Sequence, residues 1–334
     1  MKLVKMVFML LMTTVIGLYG QGMISGAGAT FPYPVYSAWA YEYHKAENIK
    51  LNYQSIGSGG GVKQITKRTV DFGASDAPLK PERLEREGLL QFPAIIGGVV
   101  PIVNMPGVKS GQLKLSGEVL AKIFTEEIKY WDNAEIKALN PDVTLPHKKI
   151  SSIHRSDGSG TTAIFTSYLA IVYPNFEKLV GVGKSVKWIG GIGAKGNEGV
   201  ANYVRRVKYS IGYVEFAYAK QNKLPHVLLK NKDGNFVEPG FDNFKAAAAN
   251  AEWKPEEHFY LWLLNEPGAN SWPITGASFI LLAKENQESN KRVVKFYDWC
   301  FNNGDATAEK LTYVPLPESL KNLIRDYWKK HGIY

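Results

Sequence analysis

Four glycine-rich turns punctuate this chain: GAGATFPYP at 26–34, IGSGGGVKQ at 56–64, DFGASDAP at 71–78 and HRSDGSGTT at 154–162. Each lies between a strand-like run and a stretch that reads as a helix. Repeated units of that kind predict an α/β chain, an open sheet with helices on its faces. After the first turn, Val35, Trp39 and Tyr43 recur at four-residue spacing, one face of a helix. The strand IKLNYQSI, a short helix from VKQITKR, the brief strand VDFGASD and a helix over PERLEREGLLQF follow, and then the apolar run PAIIGGVVPIVN. A second such run, WPITGASFILLAK at 272–284, precedes two helices, NKRVVKFYDWCFNNG and LPESLKNLIRDYWKKHG. The last should pack through Leu320, Leu323, Ile324 and Tyr327. If the runs near 95–104 and 272–284 both pass between lobes, the C-terminal helices return to the N-terminal lobe and make a two-segment hinge.

The N-terminus has a different logic. Lys2 and Lys5 precede an apolar run from Val7 to Tyr19 and small residues around Gly20 to Gly22. The run is shorter than the ~20 residues a spanning helix needs, so residues 1–22 read as a cleaved secretory signal peptide and the remainder as exported and soluble. What remains is long enough for two domains, each with a sizeable core. Cys300 is the single cysteine, so no internal disulfide forms. Its helical register with Val293, Val294, Phe296, Tyr297 and Phe301 predicts a buried thiol.

Formal charge is +9, or +7 once Lys2 and Lys5 are subtracted (9 − 2), a surplus that favours anionic partners. The basic residues are scattered through turns and polar helix faces rather than clustered among aromatics, so nucleic acid is not an expected partner. The six histidines include no pair at i,i+3 or i,i+4 spacing, and neither a metal nor a cofactor is expected. GGIGAKG at 190–196 contains a formal G-x-G-x-x-G with Glu215 downstream, but it lies beyond the chain's midpoint. It reads as a flexible connection after a strand VKWI, leading into a helix that starts in GNEGVANYVRRV.

HRSDGSGTT puts a histidine, an aspartate and a serine within six positions. A catalytic triad needs side chains converging in space, which residues this close on one tight turn rarely achieve, and the pattern G-x-S-x-G is missing. An anion cradle uses the same residues more naturally. Arg155 supplies a forked, permanent positive charge, and Asp157 can orient that fork. Ser159, Gly160, Thr161 and the amides opening TAIFTSYLA add donors at a helix N-terminus.

Nine separated stretches, GAGATFPYPVY, YQSIGSGGGVKQI, VDFGASDAPL, FPAIIGGVVPIVN, RSDGSGTT, FTSYLA, GAKGNEGVA, IGYVEFAYAKQN and SWPITGASFILL, occur in order across essentially the whole mature chain. In them the sequence resembles the periplasmic phosphate-binding proteins of Pst-type ABC transporters. The resemblance implies a two-lobed periplasmic-binding-protein fold of type II: two open mixed sheets, flanked by helices and joined by two crossing strands. Lobe I would hold residues 23–103 plus 276–334, and lobe II residues 104–275. It implies a monomeric solute carrier in the periplasm, not an enzyme, that closes on one phosphate ion and delivers it to the permease subunits of the transporter. The ligands it implies are Thr30, Phe31, Ser58, Asp76, Arg155, Ser159, Gly160 and Thr161, with Asp157 pairing with Arg155. Gly59 stands where related proteins often carry a second serine, and His154 and Ser156 flank Arg155 where other residues are common. Asp76 would carry the selection, because a carboxylate accepts only and can face an oxyanion only where that oxyanion bears a proton. A phosphatase, a scaffold, and a sulfate, molybdate or tungstate carrier are the competing readings.

Overall fold

A computed structural model of the chain describes residues 23–249 and 251–334. The signal peptide expected at 1–22 lies outside the described residues. No helix among those described is long and apolar enough to cross a membrane.

The first third of the described chain alternates as β1 (Ile24–Gly28), α1 (Tyr33–Glu47), β2 (Leu51–Ser55), α2 (Ser58–Thr66), β3 (Phe72–Ser75), α3 (Pro81–Glu87) and β4 (Leu89–Asn104). Helix α1 carries a proline in its first turn, where a missing N–H costs nothing, and buries Val35, Tyr36, Trp39 and Tyr43. Helix α3 is shorter than PERLEREGLLQF predicts. Gly88 adopts a left-handed φ of 63° and its N–H closes on Leu84 and Glu85, so the helix stops and LLQF opens the next strand.

The middle of the chain forms β5 (Lys114–Leu115), α4 (Gly117–Phe124), α5 (Ala134–Leu139), β6 (Ser151–Arg155), α6 (Gly160–Val172) and α7 (Asn175–Leu179). It continues through β7 (Ile192–Ala194), α8 (Gly196–Arg206), β8 (Ser210–Glu215), α9 (Phe216–Gln221), β9 (Leu228–Lys230), β10 (Phe236–Val237) and α10 (Phe241–Ala248). The strand expected at VKWI instead lies inside the glycine stretch, because Ile192, Gly193 and Ala194 take the parallel register against Ile153, His154 and Arg155. Trp188 of VKWI stacks on His154 at 4.9 Å. The chain ends with β11 (Thr275–Ala283), α11 (Gln287–Asn303), α12 (Asp305–Lys310) and α13 (Glu318–Lys330). Cys300 on α11 is fully buried. On α13 the buried stripe is Leu320, Lys321, Ile324, Tyr327 and Trp328, whereas Leu323 is 41% exposed, so the packed face is rotated from the expected one. Lys321 fits that face because its ammonium is neutralised by Asp305 and bonded to the Phe301 carbonyl, both at 2.7 Å.

The main strands run in the order β2-β1-β3-β11-β4-β8-β6-β7, with a small sheet β10-β9-β5 beside them. The two expected sheets are therefore continuous through one strand. Residues 89–98 of β4 pair antiparallel with β11, and residues 99–104 pair antiparallel with β8. Fifteen of its 16 residues are buried, which is why it reads as an unbroken apolar run rather than an alternating one. Gly97 and Gly98 mark the changeover. A Cβ on Gly97 would sit 2.9 Å from the Phe31 ring, and one on Gly98 would strike Phe244. The second passage is the segment before β11, where Val99 N–H bonds the Ile274 carbonyl at 2.8 Å and the buried Trp272 indole donates to the Val99 carbonyl at 2.9 Å.

Trp272→Phe keeps an aromatic ring but removes the indole bond and part of the buried ring volume. It should lower stability by about 1–3 kcal/mol, seen as a lower urea midpoint with unchanged slope; an unmoved midpoint would show that the bond does not hold the passage together.

Candidate functional site

Strands β1, β2, β3 and β6 end at the four glycine-rich turns, which gather at one place, as sheet topology directs in open α/β folds. Thr30 and Phe31 lie between β1 and α1, Ser58 opens α2, Asp76 follows β3, and Arg155 through Thr161 join β6 to α6. Thr30, Phe31, Ser58, Asp76, Arg155, Ser159, Gly160 and Thr161 are all buried, whereas Ser156 between them is exposed. Direct bonds tie the second turn to the fourth: Gly59 N–H donates to the Gly158 carbonyl at 2.7 Å, and Gly160 N–H to Ser58 Oγ at 3.1 Å. Glycine is required where these turns pass. Gly57 caps α2 with φ 87°, and a side chain there would strike Asp157. A Cβ on Gly59 would come within 3.1 Å of Gly158 Cα, a tight approach between the two turns.

Arg155 is the permanent charge of the site, with its side chain 1% exposed. Asp157 grips it twice, from Nε at 2.8 Å and Nη2 at 2.6 Å, and takes a further bond from Gly196 N–H at 3.1 Å. Burial alone would raise the Asp157 carboxyl, but the hydrogen bonds and charge of Arg155 outweigh it and hold the group below the usual range. With two of its nitrogens engaged, the guanidinium turns Nη1 toward Thr161, 3.4 Å away.

Hydrogen counting shows what the hydroxyls have left to give. Thr30 Oγ1 accepts from the amide and the side chain of Asn197, at 3.2 and 2.7 Å. Thr161 Oγ1 accepts from Asn197 Nδ2 and from Arg155. Ser159 Oγ caps α6 by accepting from Thr162 N–H at 2.9 Å. Each of these three oxygens is already an acceptor, so what it can offer a guest is its proton. Asp76 is the opposite case. Its N–H donates to Ser58 Oγ at 3.2 Å, while its carboxyl Oδ1 is buried without a hydrogen-bond partner. Burial pushes this carboxyl up to about 7, against the pull of the neighbouring Ser278 hydroxyl, which stops short of a full hydrogen bond to Oδ1, and of the positive charge on Arg155. Several donors around one buried acceptor suit an oxyanion that carries a proton.

Ser159 and His154 are not placed as a nucleophile and its base. Ser159 is engaged as a helix cap, and the ring of His154 lies on Trp188 with Nδ1 bonded to the Arg155 carbonyl at 3.1 Å, which fixes that nitrogen as the donor. Sequence reasoning missed Asn197, whose side chain links Thr30 to Thr161 and accepts from Glu215 N–H at 2.9 Å. The available signal was the glycine-flanked helix start GNEG. It also missed Tyr218 and Tyr313, which donate to the carbonyls of Thr30 and Phe31 at 2.6 and 2.7 Å. Nothing in their local sequence marks them, because their partners are 188 and 282 residues away.

A family model described as a PBP superfamily domain matches residues 17–303. The chain is 55% identical over 308 residues to "Phosphate-binding protein PstS" of Haemophilus influenzae, covering 92% of each chain. It is 37% identical to the protein of that name from Methanocaldococcus jannaschii, over 90% of this chain and 84% of that one. Among solved structures, a high affinity periplasmic phosphate-binding protein (PfluDING) bound with phosphate superposes with a TM-score of 0.74 at 20% identity, covering 91% of this chain and 93% of that one. A putative phosphate ABC transporter substrate-binding protein from Clostridium perfringens, with bound phosphate, superposes at 0.65 with 19% identity, covering 89% and 100%. At those identities the two structures establish a shared fold.

Asp157→Ala leaves a buried guanidinium unpaired and should cost about 3–5 kcal/mol in urea unfolding. A loss below about 1 kcal/mol, the range of an exposed pair, would mean that solvent reaches Arg155.

Proposed function

We propose, for a chain that belongs to the PBP superfamily and within it to the PstS phosphate-binding proteins, that it binds one inorganic phosphate ion in this cleft and delivers it to an ABC-type permease. It does so as an exported, monomeric carrier in the periplasm, without catalysis and without nucleic acid. The lobes that close are residues 23–103 with 276–334, and 104–275. The hydroxyls of Thr30, Ser159 and Thr161, the amide of Phe31 and the guanidinium of Arg155 donate to the ion, and the Gly160 N–H and Ser58 hydroxyl join them by leaving Ser58 Oγ and Asp76 Oδ2, which they bond without the ion. Asp76 accepts from it.

The observation that carries this reading is the buried, unpartnered Asp76 oxygen beside a set of donors. Between Asp76 and an oxyanion there must be one proton. Phosphate brings it at neutral pH; sulfate does not, and would leave two acceptors facing each other in a buried site. A mispaired buried group of this kind supports discrimination of about four orders of magnitude. Charge-assisted bonds of roughly 1.5–3 kcal/mol each outweigh the cost of ordering and leave affinity of order micromolar or tighter. Because donors from both lobes meet at one point, the ion favours the shut form, the shape a permease would recognise.

Calorimetric titration with phosphate, arsenate and sulfate, at a pH well above the raised Asp76 carboxyl, tests the class: one strong phosphate site and no sulfate signal is expected, and absence of phosphate binding would end the reading. Asp76→Asn should weaken sulfate rejection more than phosphate binding. The sign with pH follows from the raised carboxyl. As pH falls through about 7, Asp76 gains a proton, becomes a donor and can face sulfate, so sulfate competition should grow on acidification and Asp76→Asn should flatten that dependence. Competition curves independent of pH in the unsubstituted protein would remove Asp76 from this role.

A further inference from the structure

A second buried carboxyl lies behind the site. Glu215 ends β8 and caps α9, where its Oε2 accepts from Ala217 N–H at 2.8 Å. It is fully buried, and its Oε1 has no hydrogen-bond partner. The hydroxyl of Tyr313, also fully buried, lies 2.7 Å from the Phe31 carbonyl and 2.8 Å from Glu215 Oε2. Both are hydrogen-bonding distances. A tyrosine hydroxyl has one hydrogen, a backbone carbonyl has none, and an ionised carboxylate has none. A single hydrogen could serve both acceptors only as a shared, weaker three-centre bond; a second hydrogen makes both contacts full bonds, and the carboxyl is the group there that can supply it.

We infer that Glu215 is held as a neutral carboxylic acid that donates to Tyr313, which in turn donates to the Phe31 carbonyl and so positions the first glycine-rich turn. The relay joins β8, the chain between α12 and α13, and the β1–α1 turn, three segments that meet over the Gly97–Val99 changeover in β4. An ionised carboxylate there would have only the backbone N–H groups of Ala217 and Phe216 as donors and no hydrogen of its own to give Tyr313. Burial, with the negative charge of Asp76 adding to it, pushes the Glu215 carboxyl well above the ordinary range in the same direction. The neighbouring ionisable groups are Asp76, Tyr313 and Tyr218, and Arg155 acts on both Asp76 and Tyr218. Glu215 touches no guest; it is a positioning residue, and Tyr313 is its instrument. The inference rests on the phosphate reading only where it concerns affinity.

Infrared spectroscopy of the ligand-free protein at neutral pH reads the protonation directly. To set aside Asp76, Asp76→Asn is compared with Asp76→Asn combined with Glu215→Gln. The carbonyl stretch of a protonated carboxylic acid should be present in the first and missing from the second. Loss of carboxylate intensity instead would overturn the inference. Should the Gln variant fail to fold, Asp76→Asn with Tyr313→Phe serves, since the acid loses its acceptor and its band should shift; an unshifted band counts against the relay. Tyr313→Phe in the otherwise unsubstituted protein should weaken phosphate binding roughly tenfold, the effect of losing one bond that holds Phe31. Unchanged affinity would overturn the positioning role. An unsubstituted protein that bound no phosphate would fail the functional reading while leaving the infrared result intact.

Discussion

A guanidinium taken out of water must be paired, and the grip of Asp157 on Arg155 is the condition on which this site depends. With Nε and Nη2 engaged, the fork has a fixed plane and its remaining face points to Thr161. Gly196 N–H steadies the same carboxylate, which brings the start of α8, and with it Asn197, to the site. The charge therefore organises two elements that are 39 residues apart. A lysine would present the same charge without that plane.

Around this cation the structure sorts its polar groups by the hydrogen each has left. Asn197 donates to Thr30 and Thr161 and turns both into net donors outward. Tyr218 and Tyr313 fix the carbonyls of Thr30 and Phe31 from behind. Three carboxyls sit within this arrangement, and their surroundings give them different tasks. Asp157 is paired with a cation and ionised, while Asp76 and Glu215 are raised by burial.

The scaffold makes that sorting possible by letting one strand serve both halves. Strand β4 changes partner from β11 to β8 at Gly98–Val99, where the absence of side chains at 97 and 98 admits Phe31 from one side and Phe244 from the other. Contacts across the cleft, such as Gly59 to Gly158 and Ser58 to Gly160, are made by turns that a Cβ would hold apart.

The alternation of strands and helices was legible in the sequence because apolar spacing and turn residues are local properties. So were the four turns and the burial of Cys300. Element ends were less so: Gly88 halted α3 early, and the strand beside β6 formed at 192–194, where backbone pairing prevailed over the apolar run before it. Leu323 shows the same limit, since periodicity names a stripe but only the neighbouring elements fix its centre, and here Lys321 and Trp328 took the buried side. Outside 154–162, candidate residues for the site were named in the sequence only through the family resemblance. Asn197, Tyr218, Tyr313 and Glu215 were not among them, because their roles consist of bonds to partners distant in sequence, and a hydrogen can be assigned to one atom or another only once the atoms competing for it are in place.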